Sequence, residues 1–159
     1  MTAIIDGIIV LLFLLTLVTG YREGLVRSTS SLISSLLGFF FAGKTYSVMA
    51  GVLSFLPGTG WENFIGFFVV ALFFNVVIGL ILIPARVRYD RKTEKSFSTN
   101  LAGSLVGVIN LAIGLTVFAL AVKVYPLTGL LEEVVNESSV FKELTGNFGF
   151  LRLLISDFV

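Results

Sequence analysis

Between Leu101 and Val122 the chain runs for 22 residues without a charge, LAGSLVGVINLAIGLTVFALAV, with the basic stretch before Asn100 on one side and Lys123 on the other. At about 1.5 Å per helical residue this stretch is roughly 33 Å long, enough to cross the ~30 Å hydrocarbon core of a bilayer. One of its faces is cut back to small residues. Gly103 and Gly107 stand four apart, with Ala102, Ser104 and Gly114 nearby. A lipid-facing helix gains nothing from such notches, whereas one that another helix approaches closely does. The stretch therefore reads as the innermost span of a membrane bundle.

Composition supports this class. Only 13% of residues are charged and 56% are hydrophobic, where a soluble domain carries nearer 25% charged residues. The chain contains no Cys and no His, which excludes thiol chemistry, imidazole metal sites and the Ser–His or Cys–His pairs of most hydrolases. A Ser–Lys pair built on Lys44 or Lys123 is the remaining nucleophilic option, and no spacing selects one. No enzyme, cofactor or metal site is expected.

Further spans follow from hydropathy. The first covers about residues 3–19, with Asp6 in its opening turn facing the positive end of the helix dipole. Asp6 replaces the basic start of a signal peptide, so the segment is expected to be retained. A charged reversal, Gly20 to Arg27, leads into a second span over 28–43 whose first half holds Ser28, Thr29, Ser30, Ser31, Ser34 and Ser35. Such residues are tolerable inside a bundle or at the interface. Residues 45–56 read as an extension of this span or as an amphipathic helix on the membrane surface, ended at Pro57-Gly58. A third span, 64–83, enters at Trp61 and leaves at Pro84. The expected fold is thus all-α: a bundle of four transmembrane helices over residues 1–123, with an amphipathic tail over 124–159. That tail is too broken by charge and glycine to span, and belongs on the membrane surface or against the bundle.

Polar residues inside the spans are few. Asn75 and Asn110 sit near the middle of spans three and four, where an interhelical hydrogen bond is the ordinary role. The connector Ala85–Ser98 carries Arg86, Arg88, Arg91, Lys92 and Lys95 against Asp90 and Glu94, a net +3. These basic residues read as topology-setting or as contacts to lipid headgroups, and no nucleic acid is expected as a partner. With four spans this connector and the Tyr21–Arg27 turn share one side, which the positive-inside rule puts in the cytoplasm, with both termini outside.

The pattern resembles the colicin V production proteins of bacterial inner membranes. An acidic residue opening span one is followed in that family by a turn with glycines and arginines, here Asp6 and then Gly20, Arg22, Gly24 and Arg27, with Leu32 beyond. Its glycines four apart in span four are matched by Gly103 and Gly107. The family's Asp and basic neighbour before them are Thr99 and Asn100 here, and a later basic-Gly pair is Asn110-Leu111, so no charged cluster is carried over to span four. Ser139 resembles a family serine. The resemblance implies an inner-membrane protein associated with toxin production or export and envelope homeostasis. Related domains are fused to an extracytoplasmic serine protease, in keeping with an outside C-terminus. A non-enzymatic accessory role, exerted through contacts with the bilayer, with membrane or export proteins, or with a second copy through the glycine face, is the leading expectation. The alternative is an oligomeric pore or carrier for a small solute or ion, with Asn75 and Asn110 on its path.

Overall fold

The computed structural model describes residues 2–53, 59–90, 96–125, 129–148 and 151, and every element among them is helical. These are α1 (Thr2–Val52), α2 (Thr59–Ile81), α3 (Ile83–Asp90), α4 (Phe97–Val124), α5 (Gly129–Glu137) and α6 (Ser139–Asn147). Three stretches are long and apolar enough to cross a membrane: Ile4–Val52, Gly60–Ile81 and Phe97–Val124. Buried residues make up 44% of the apolar window of α4, against 11% and 22% for α1 and α2, so α4 is the enclosed helix around which the others stand.

The longest stretch is not one straight rod. At Gly24 the backbone takes φ 77° and ψ 175°, outside the helical region and in a conformation that a side chain resists. Pairings with α4 show what this break does. Before it, Gly20 lies against Gly103 and Ser104, and Thr16 against Gly107, so α1 and α4 run antiparallel. After it, Ser31 meets Asn110 and Tyr46 meets Tyr125, so they run parallel. The two halves of α1 thus point in opposite directions, folded back on one glycine. Residues 45–53 extend the second half, and Pro57-Gly58 lies outside the described residues.

Helix α2 returns alongside that second half: Asn75 pairs with Ser35, Gly38 faces Ala71, and Gly66 faces Ala50. Stacked rings fill the seam, Phe39 on Phe67 at 6.3 Å and Phe41 on Phe74 at 4.9 Å. Leu82 interrupts the helix, and α3 begins with Pro84 in its first turn, where the missing N–H costs nothing. The third span therefore ends at Ile81, two residues short of its expected limit, and part of the basic connector is helical. Ser96 caps α4, its Oγ accepting from the Ser98 N–H while Thr99 Oγ1 accepts from the Ser96 N–H. This gives Thr99 a structural task at the helix start.

The surface is inside out by the standards of a soluble protein. In the first half of α1, Ile4, Ile8, Leu11, Leu14, Leu15 and Val18 are each more than half exposed, while Ile9 is buried. Such a contiguous apolar face is stable only against lipid or another apolar partner. Among the described residues of the tail, Val135 and Phe141 are buried, with Phe141 against Phe118 of α4.

Candidate functional site

The fold-back brings the polar residues of α1 to one place. At its floor, α1 and α4 touch backbone to backbone. A Cβ on Gly103 would lie 2.5 Å from the Gly24 carbonyl carbon and 2.6 Å from the Gly20 oxygen, and one on Gly20 would lie 2.8 Å from the Gly103 oxygen. Ser104 Oγ donates to the Leu17 carbonyl at 3.0 Å, a cross-helix bond that only a close approach permits. Gly107 is looser, its nearest neighbour being the Thr16 methyl at 3.3 Å, and Gly114 has no neighbour within 4 Å among the described residues. The small-residue face is thus a short seam centred on Gly103, where the spacing alone made Gly103 and Gly107 equal.

Two cavities flank this seam. One, of about 220 Å³, lies between the halves of α1 and α4 and is lined by Thr16, Thr19, Glu23, Ser28, Ser31 and Asn110 among others. The second, of about 330 Å³, lies between α1 and α2 and is lined by Glu23, Arg27, Ser31, Ser34, Asn75 and Arg86 with an apolar wall. Glu23 and Ser31 belong to both, so the two form a polar cleft with its charged groups toward the fold-back. Glu23 Oε1 lies 3.7 Å from Arg27 Nε, one helical turn away.

The serines of the second half of α1 divide by role. Ser30 and Ser34 donate to carbonyls four residues back, the usual way a helix absorbs a hydroxyl. Ser31 and Ser35 accept from Asn110 Nδ2 at 3.3 Å and Asn75 Nδ2 at 3.0 Å. Both asparagines are therefore cross-helix hydrogen-bond donors. Asn110 Oδ1 and Ser28 Oγ are buried with no partner among the described residues, and both residues line the smaller cavity. Buried polar atoms of this kind ordinarily hold water.

Asp6 is at the opposite end of the molecule. Its carboxylate accepts a hydrogen bond from Ser138 Oγ, and Ser138 also caps α6 by accepting from the Phe141 N–H at 3.3 Å. The serine in this contact is Ser138, fully buried, while its neighbour Ser139 is exposed. Nearby, burial raises the Tyr125 phenol above its ordinary range, with Tyr46 adding to the effect. Of the turn residues, Arg22 is exposed; of the connector's basic residues, Arg88 is exposed and Arg86 half-buried, while Arg91, Lys92 and Lys95 lie outside the described residues.

The chain matches the family model described as colicin V production protein over residues 5–148, nearly its whole length, and it belongs to that family. No curated protein and no solved structure matches it.

Proposed function

Starting from a member of the colicin V production family with apolar helices long enough to cross a bilayer, we propose a four-span protein of the bacterial inner membrane. In this reading it serves toxin production or export and envelope homeostasis through packing and partner contacts, without catalysis. The observation that carries the span number is the reversal at Gly24: the two halves of α1, residues 2–23 and 25–52, run in opposite directions along α4. Each half is long enough to cross, at roughly 33 and 42 Å. The fold-back and α3 then share one face of the membrane. Their basic residues favour the cytoplasmic face, with both termini outside.

The accessory role is supported by the packing of Phe141 of the tail on Phe118 of α4, beside the apolar faces left open on α1 and α2. Its test is crosslinking of the full chain in native membranes, followed by identification of what co-purifies. Recovery of export or envelope proteins is the expected result, and recovery of the chain alone would contradict the role.

A second reading, a pore or carrier, has the cleft in its favour, since Asn110 and Ser28 line a cavity and carry buried oxygens without a partner among the described residues. Solute or ion flux in proteoliposomes separates the two. Flux abolished by Asn110→Leu in a protein that still folds would put transport first. Absence of flux leaves Asn110 as a packing hydrogen bond worth about 0.6 kcal/mol.

A further inference from the structure

Arg86 and Arg88 are two residues apart on α3, yet their surroundings differ. Arg88 is exposed, whereas the Arg86 side chain reaches back along the helix axis, the direction favoured for long helical side chains. Its guanidinium passes Gly79, on which a Cβ would lie 4.0 Å from Arg86 Nη2 and 4.0 Å from Ser34 Oγ. Arg86 Nε is buried with no hydrogen-bond partner. Among the residues whose side chains are described, no carboxylate lies within ion-pair distance of it: Glu23, on the same cavity, faces Arg27 instead. A guanidinium stays charged in a protein, and a partly desolvated charge calls for an opposite one.

We propose that the 330 Å³ cavity between Arg86 and Arg27 receives the phosphate of an anionic phospholipid. The wall of the cavity distinguishes a lipid from a soluble anion. Val76 and Leu80 of α2 and Ile83 at the start of α3 line it, and they are 52%, 59% and 45% exposed. This apolar strip runs for about 10 Å past the guanidinium, which lies at the level of Gly79, and gives a wall for an acyl chain whose headgroup sits between the arginines. The fork of Arg86 suits two phosphate oxygens, and Ser34 and Asn75 add neutral polar groups. With Glu23 counted, the cavity carries one net positive charge, matching one phosphodiester. The proposal rests on the chain being in a membrane and is independent of any role in export.

The test uses the full chain purified in an uncharged maltoside detergent, with its thermal unfolding midpoint followed during titration with dioleoyl phosphatidylglycerol. Dioleoylglycerol, which has the same chains and no phosphate, and inorganic phosphate at matched ionic strength form the other arms. Phosphatidylglycerol alone is expected to raise the midpoint. Arg86→Gln should raise the half-effect concentration about tenfold or more, whereas Arg88→Gln, removing the same charge from the exposed side of α3, should raise it by no more than about twofold. Should Arg86→Gln fail to fold, Arg86→Lys keeps the charge and loses the fork, and a several-fold increase is expected. Equal stabilisation by the phosphate-free lipid, or an unchanged response in the Arg86 variant, would overturn the proposal. A midpoint raised equally by inorganic phosphate would assign the cavity to a soluble anion and overturn the lipid.

Discussion

The two ends of α4 are held by different physics. At its start, Gly103 meets Gly20 and Gly24 with no side chain between the backbones. At its far end Phe118 and Tyr125 are surrounded by Phe64, Phe68, Tyr46 and Phe141, and a hydrogen bond from Ser138 to Asp6 ties the tail to the opening of α1. A backbone contact has no rotamer through which to relax, so its response to added volume is abrupt. An aromatic cluster redistributes a small change over many contacts. The same helix is thus rigidly registered at one end and adaptable at the other.

The largest expected effect breaks the rigid end. Gly103→Ala puts a Cβ 2.5 Å from the Gly24 carbonyl carbon and should cost about 3 kcal/mol, the upper range for overpacking, despite alanine's better helix propensity. Membrane insertion should be unaffected. Unfolding in detergent reads the first and membrane fractionation the second. Wild-type stability in Gly103→Ala would mean that the contact is not close.

Next comes Gly24→Ala. Space is available there, with Asn100 Oδ1 at 3.6 Å, and the cost is conformational, at φ 77°. About 1–3 kcal/mol is expected for Gly24→Ala and Gly24→Asn alike, because ψ 175° puts the residue in a region that glycine almost alone occupies, away from the αL well that Asn tolerates. Detergent unfolding reads the loss, and wild-type stability in either variant would contradict the strain.

Ser138→Ala addresses the adaptable end. It removes both the bond to Asp6 and the cap of α6, for about 1–2 kcal/mol. Because the ring contacts remain, the loss should be local: faster proteolysis within α5 and α6, with the transmembrane bundle still intact. Global unfolding on the same substitution would make the two ends alike.

The smallest effects calibrate the comparison. Gly107→Ala meets the Thr16 methyl at 3.3 Å and should fall within about 1 kcal/mol of wild type. Gly114→Ala meets nothing within 4 Å among the described residues and should be neutral or stabilising by up to about 1 kcal/mol. Detergent unfolding of the two, beside Gly103→Ala, gives the profile of the seam.

Much of this was legible in the sequence because lipid imposes simple rules. Charge-free runs located the apolar helices, and glycines four apart located the seam. The finer outcome depended on distances that no spacing encodes. Gly103 and Gly107 look equivalent until α1 crosses nearer to one of them. Gly38 and Gly66 on the α1–α2 seam carry no motif, although a Cβ on Gly38 would lie 2.9 Å from the Ala71 oxygen. Ser138 and Ser139 are both good caps, and only the docking of α6 chooses between them. Arg86 and Arg88 form one charge run in sequence. Their separation follows from the interruption at Leu82 and the room left by Gly79.

The central proposal is that α1 crosses the membrane twice, turning at Gly24, and the absence of cysteine from the chain makes it directly measurable. Single cysteines at the exposed positions Arg22, Val48, Ser96 and Ser139 are labelled with an impermeant maleimide in intact cells and again after permeabilisation. Arg22 and Ser96 are expected to label together from the cytoplasmic side, and Val48 and Ser139 together from the outside. A single straight α1 would put Arg22 near mid-membrane and leave it unlabelled in either condition. That result, or Arg22 and Ser96 on opposite sides, would contradict the fold-back.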